Sequence, residues 1–178
     1  MTARMAAALC GLVLVASGAA SAATGWVTFT HPRLGFTLSY PPGWEVARTA
    51  TGVVLLVVGP PPAGVSGLRM NVSVTHEEVP PGMTVEQYDS QNESGMGLLF
   101  TGYRRLRADR TRVGDYPAVV RYYTWIRGDG VELYQMQLAA IAGTRGYVVT
   151  GTTAAASRRL AEEARLLVSI LLTFRPGR

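Results

Sequence analysis

The sequence predicts an α+β protein built on one mainly antiparallel sheet, with a helix on each face of the sheet or both on one. Three observations lead there. The periodicities along the 178 residues run strands, helix, four strands, helix. The strands are joined by proline and glycine turn signals of hairpin type, with no repeated βα alternation and no internal repeat, which disfavours a Rossmann-like fold or a solenoid. The last segment, AAASRRLAEEARLLVSILLTF, carries an apolar stripe wide enough to lie on a sheet. The length fits one domain of ordinary size.

Residues 1–23 read as a secretory signal peptide and residues 24–178 as a single domain. Arg4 gives a basic start, Leu9 to Val15 an apolar centre, and Ala20-Ser21-Ala22 a small-x-small cleavage site. The expected location is therefore secreted or periplasmic. The alternative is an N-terminal membrane anchor, because the uncharged stretch from Met5 to Gly25 is long enough to span a bilayer. The one cysteine, Cys10, lies inside this segment and lacks a lipid-attachment context, so cleavage would leave no disulfide, thiolate metal site or cysteine nucleophile.

In the remaining chain, Trp26 to Thr30 and Gly35 to Tyr40 are short strands. Phe36, Leu38 and Tyr40 share the parity of a buried face, and Pro41-Pro42-Gly43 ends pairing because proline lacks a ladder donor. Trp44 is expected to cover the apolar edge beside that turn. Gly52 precedes VVLLVVG, whose continuous β-branched character predicts a central strand covered on both faces. LRMNVSVTH, residues 68–76, returns as a strand with Met70, Val72 and Val74 on one side.

After Pro80-Pro81-Gly82 the period changes. Thr84 and Gln87 form a capping box, and Val85, Tyr88, Asn92, Met96 and Leu99 predict a helix over 85–100, weakened by Gly95 and Gly97. Strands follow at 103–112, 117–127, 131–142 and 145–152, with Arg127-Gly128-Asp129-Gly130 a strong reversal signal. In the closing helix Leu160, Ala164, Leu167 and Leu171 make the buried stripe, with Ser157, Arg158, Glu162, Glu163 and Arg165 largely opposite.

The chemistry-bearing residues are sparse. All 17 basic residues are arginine, the formal net charge is +5, and the arginines are spread along the chain, so nucleic-acid binding has little support. Without lysine there is no Schiff-base or Ser-Lys mechanism. No Gly-x-Ser-x-Gly elbow, Walker motif or Gly-x-Gly-x-x-Gly cradle occurs. His31, at a strand boundary, and His76, in a His-Glu-Glu run, are weak polar-site candidates; neither has the spacing of a zinc motif, and no metal or cofactor is expected. No pair of carboxylates is singled out for acid-base work, so no catalytic residue is assigned. Asn71-Val72-Ser73 and Asn92-Glu93-Ser94 match the short glycosylation acceptor pattern.

RYYTWIR, residues 121–127, is the most unusual patch. Strand alternation puts Arg121, Tyr123, Trp125 and Arg127 on one side, combining aromatic area with guanidinium donors, as a partner surface or ligand groove would. Arg105 and Arg107 on the preceding strand extend the patch if pairing brings them alongside. The competing reading packs the aromatics beneath a helix while the arginines snorkel to water.

The opening Gly35, Phe36, Tyr40, Pro41, Gly43 and Trp44 match a G-F-x-x-x-Y-P-x-G-W pattern. Together with the Thr-led TVEQYDSQ helix, the strand series from Asp115 to Thr153 and the closing ILLTF helix, they resemble the PsbP-like superfamily, bacterial extracytoplasmic branch, over about residues 27–174. The resemblance implies an α/β/α sandwich with a central antiparallel sheet and a generally non-catalytic role; it carries over no functional residue. The expected function is an exported binding or accessory protein that contacts a protein or envelope component, with no nucleic acid, and with membrane association only if the N-terminal segment is retained. The alternative is a carboxylate- or histidine-dependent hydrolase or small-ligand protein.

Overall fold

The computed structural model describes residues 25–49 and 51–177; the predicted signal peptide lies outside the described residues. β1 (Val27–Thr30) and β2 (Thr37–Tyr40) pair antiparallel as a separate two-stranded sheet, with Val27 opposite Tyr40. β3 (Glu45–Val46), β4 (Val53–Val58) and β5 (Asn71–Glu78) lead to the helices α1 (Val85–Ser94) and α2 (Met96–Leu99). β6 (Arg104–Val113), β7 (Tyr116–Ile126), β8 (Glu132–Ala142) and β9 (Arg145–Ala154) follow, and α3 (Leu160–Leu172) comes last.

These strands form a seven-stranded sheet in the order β3-β4-β5-β9-β8-β7-β6, antiparallel at every pairing. The hairpins β6–β7, β7–β8 and β8–β9 make local pairs. The β5–β9 pairing, Asn71↔Thr152 to Glu78↔Arg145, closes the long range.

The alternation of side chains builds two layers of core. One face of the sheet packs Val72, Met136, Leu138 and Val149 against Leu167, Ile170 and Leu171 of α3 and the β1–β2 hairpin. The other face packs Val119, Ala139 and Val148 against Val85 and Tyr88 of α1. The sheet is therefore sandwiched between helices: of the two arrangements the periodicity allows, the chain takes the one with a helix on each face, which the family resemblance implies. Gly146 permits the second packing: a Cβ there would lie 2.5 Å from Tyr88 Cζ. Trp44 covers the bottom of β4 in a similar way, its ring filling the place where a Gly59 Cβ would stand.

Four local expectations are corrected. The first two strands form their own sheet rather than joining the main one. VVLLVVG is not central: β4 is next to the short edge strand β3, and from Val53 to Val57 its residues alternate between buried and half-buried, with Val58 buried as well. The helix expected over 85–100 breaks at Gly95, the C-cap of α1, and resumes as the one-turn α2. Glu163 points inward instead of to solvent. Its Oε1 accepts from the Ala63 amide at 2.9 Å and the Ser157 hydroxyl at 2.7 Å, and its Oε2 accepts from the Thr153 hydroxyl. Burial raises its pKa, but these three bonds outweigh that and hold the carboxyl below its usual value.

Candidate functional site

Strand β7 sets the site. Arg121, Tyr123 and Trp125 do share one face, and it is the face that α1 and α2 cover. Thr84 accepts from the Gln87 amide while Gln87 accepts from the Thr84 amide, fixing the start of α1. Asp89 and Glu93 then stand one turn apart on the same side, and that side meets β7. Arg121 has no exposed surface. Its Nη2 lies 2.8 Å from Asp89 Oδ1 in an ion pair and donates to Gln137 Oε1 at 2.9 Å, and its Nη1 lies 3.5 Å from Glu93 Oε2. Arg121 therefore does not snorkel to water; its guanidinium ends on carboxylates of the helix above it.

Glu93 joins this buried pair to the surface. Tyr103 donates its hydroxyl to Glu93 Oε1 at 2.9 Å, and Arg105 Nη1 reaches Glu93 Oε2 at 3.0 Å. Burial, followed by the hydrogen bond to Glu93, pushes the Tyr103 phenol up to about 12. Burial also raises the Asp89 carboxyl, against the pull of Arg121. Among the described residues, Arg121 Nε and Nη1 and Asp89 Oδ1 make no hydrogen bond, so the contact is ionic in distance without full directional pairing.

The rest of the patch divides. Tyr123 is buried, and Tyr103 and Phe100 lie 5.4 and 6.5 Å from its ring centre. Phe100 stacks on the half-buried Trp125 at 4.6 Å, and Trp125 Nε1 donates to Gln135 Oε1 at 2.7 Å. Arg127 donates through Nε to Asp129 Oδ1 at 2.8 Å and through Nη2 to the Gly67 carbonyl at 3.2 Å. Arg105 sits opposite Tyr123 and belongs to this face. Arg107 does not. A bulge between Arg105 and Arg107 puts Arg107 opposite Tyr122, on the other face, where its guanidinium lies 4.2 Å over the Tyr122 ring.

Between α1 and β6 lies a charged depression of about 280 Å³, lined by Glu86, Asp89, Glu93, Arg105, Asp109 and Arg110 among others. β6 itself is the end strand of the sheet, ten residues long and mostly exposed, and it carries Arg104, Arg105, Arg107, Arg110 and Arg112. Sequence reasoning took only Arg105 and Arg107 from this strand. The density of arginine at 104–112 was the available signal for the remainder.

His31 and His76 are brought together in a second depression of about 320 Å³, with Arg33, Leu34 and Val54. His31 Nδ1 accepts from the Leu34 amide at 3.0 Å and the Arg33 amide at 3.3 Å. The neutral ring then carries its proton on Nε2, which makes that nitrogen a donor rather than a metal ligand. Burial, then the neighbouring Arg33 and His76, lower its pKa. Among the described residues no group of three metal-binding side chains assembles, and no helix is long and apolar enough to cross a membrane.

The architecture is that of a PsbP-like fold. It aligns with the cyanobacterial PsbP protein CyanoP of Synechocystis sp. PCC 6803 at a TM-score of 0.61 and 15% identity, over 91% of this chain and 98% of the other. LpqN of Mycobacterium tuberculosis, described as involved in cell envelope biogenesis, aligns at a TM-score of 0.59 and 11% identity over 85% of this chain and 91% of its own. A Pseudomonas aeruginosa protein of unknown function, PA94, described as a putative regulator, aligns at 0.58 and 14% over 86% and 98%. At these identities the likeness is one of fold. No curated protein sequence matches this chain. Residues 28–176 match the serine/threonine kinase C-terminal domain family, and the chain belongs to that family.

Proposed function

We propose that this chain is a non-enzymatic recognition domain, working outside the cytoplasm, that holds a protein partner along the charged face between α1 and β6. The observation that carries the reading is the open edge: ten residues of β6 have a neighbour on one side only, and five of them are arginines beside a depression lined by acids and arginines. An extended segment added to such an edge gains main-chain hydrogen bonds, and the flanking charges select its sequence. The family description supports a module that elsewhere forms the C-terminal part of a serine/threonine kinase. This chain contains no lysine, the residue a kinase uses on nucleotide phosphates, so the module's part is binding rather than phosphoryl transfer. The envelope role stated for LpqN and the regulatory role stated for PA94 fit a domain of this kind.

The test is capture and crosslinking from host envelope extracts with the full chain, comparing wild type with Arg105→Gln/Arg110→Gln. Loss of a wild-type partner, with the circular dichroism spectrum unchanged, is the expected result. The same partner set with the folded variant refutes the assignment of this face.

A further inference from the structure

The turn between β1 and β2 is tied to itself and to the end of the main sheet. In His31-Pro32-Arg33-Leu34-Gly35 the His31 carbonyl accepts from the Gly35 amide at 2.9 Å, and the His31 amide donates to the Phe36 carbonyl at 2.9 Å. Gly35 supplies the φ of +67° that this turn needs. Phe36 then packs on Tyr147, with ring centres 6.0 Å apart, and Tyr147 is the cross-strand partner of His76. The contact brings the turn over β5, so that His31, Arg33 and His76 line one depression of about 320 Å³ together with Leu34 and Val54.

The polar groups this depression offers are donors. His31 Nδ1 is taken up by the Arg33 and Leu34 amides, so its other ring nitrogen, Nε2, carries the proton. His76 Nδ1 is buried and, among the described residues, has no hydrogen-bond partner. An orphaned donor is rarer in protein interiors than an orphaned acceptor, which places the His76 proton on Nε2 as well. Arg33 is exposed, and among the described residues its guanidinium makes neither a hydrogen bond nor an ion pair. No carboxylate is among the described lining residues. The acids that follow His76 are engaged elsewhere. Glu77 accepts from the Tyr88 hydroxyl at 3.1 Å on the α1 face of the sheet, while Glu78 accepts from the Thr144 hydroxyl at 3.0 Å and lies 3.9 Å from Arg145 Nε. Three donor side chains therefore share one depression without a counter-charge.

We propose that the depression binds a phosphate monoester, its phosphoryl oxygens on His31, Arg33 and His76 and its apolar part against Leu34 and Val54. A monoester presents three terminal oxygens to three donors, where a carboxylate presents two, and the arginine fork makes the strongest of these contacts. Leu34 and Val54 favour an ester over inorganic phosphate, because an alkyl group leaves water when it lies on them. In the free protein burial, then the charges of Arg33 and His76, lower the His31 pKa. A bound dianion favours the protonated ring and acts in the opposite direction. The site belongs to the hairpin side of the sheet and is separate from the partner assigned to the α1–β6 face.

The chain has two histidines, so their ring signals in the NMR spectrum of the full chain read the site. Titration with butyl phosphate is expected to shift both signals to saturation and to raise the His31 titration midpoint by about one unit, a tenfold preference for the protonated ring. Inorganic phosphate, without the alkyl group, and butyrate, without the third oxygen, are each expected to bind about tenfold more weakly. Arg33→Gln and, separately, His76→Gln are expected to weaken butyl phosphate at least about tenfold. Arg165→Gln, on the exposed side of α3, is expected to leave it unchanged. Because Arg33 is exposed, its variant keeps the test open even if His76→Gln does not fold. Phosphatidic acid vesicles present the same group on a membrane. Tighter binding to them than to butyl phosphate assigns the monoester to a lipid headgroup, and weaker binding assigns it to a soluble molecule; either result supports the site. Ring signals that do not saturate overturn the proposal, as does equal affinity of wild type and Arg33→Gln. Butyrate binding as tightly as butyl phosphate overturns the phosphoryl assignment.

Discussion

Replacing Arg121 with methionine removes the counter-charge of Asp89 while keeping most of the side chain's volume. Arg121 is fully buried and Asp89 is 7% exposed, so the substitution leaves a carboxyl in a low-dielectric layer between α1 and β7. Breaking a buried pair by removing one partner costs about 3–5 kcal/mol. The lower end applies here. Glu93 keeps Arg105 and Tyr103, and Asp89 can escape part of the penalty by taking up a proton. The sign follows from its environment: burial already holds the Asp89 pKa above the usual value, and Arg121 is the chief influence lowering it. Without Arg121 the folded protein binds that proton more tightly still, so the variant recovers stability as pH falls towards the unfolded carboxyl value. Urea denaturation followed by tryptophan fluorescence should show a loss of about 3 kcal/mol at pH 7, a smaller loss at pH 5 and an unchanged m-value. Arg121→Met/Asp89→Asn should regain about half of the loss or more, since no buried charge remains unpaired. A loss under about 1 kcal/mol, the same loss at both pH values, or no recovery in the double variant would refute a buried ion pair beneath α1.

Gly146→Ala drives a methyl into the Tyr88 ring and should cost about 1–3 kcal/mol by overpacking; a melting temperature equal to wild type would show that α1 can lift without cost. Trp44→Ala should destabilise by about 3–5 kcal/mol, measurable by calorimetry, and a change within error would remove Trp44 from the core. Glu163→Gln loses charged hydrogen bonds worth about 1.5–3 kcal/mol together. Because the folded carboxyl lies below its ordinary value, that stability is present above the unfolded pKa and lost as pH falls through the folded one, so the variant's deficit should shrink in acid. An equal deficit at pH 7 and pH 3 counts against the assignment. The lowered pKa of His31 means that protonation opposes folding, so wild type should weaken as pH drops through about 6.5. His31→Asn, which keeps an acceptor for the Leu34 amide, should flatten that limb of the stability profile, and an unchanged slope would remove His31 from it.

Much of the local structure was legible because it is written in short-range patterns. Thr84 and Gln87 announced the start of α1, Arg127 to Gly130 announced a hairpin, and the alternation of RYYTWIR placed Arg121, Tyr123 and Trp125 on one face. The same patterns failed where a distant residue chose the outcome. Glu163 is expected in solvent because it is charged, yet it lies one turn before Leu167 on the buried side of α3, where Ala63, Thr153 and Ser157 bind its carboxylate. Arg107 has the parity to join Arg105 until one bulge reverses it.

The sequence by itself determined most of the strand and helix segments, where the main turns fall and which side of β2 and β5 is apolar, because those properties depend on neighbours within a few residues. The tertiary structure alone decided that Asp89 and Glu93 roof Arg121 and that β6 is left as the open edge. Each of these depends on strand order and on contacts between residues far apart in the chain, which periodicity does not encode.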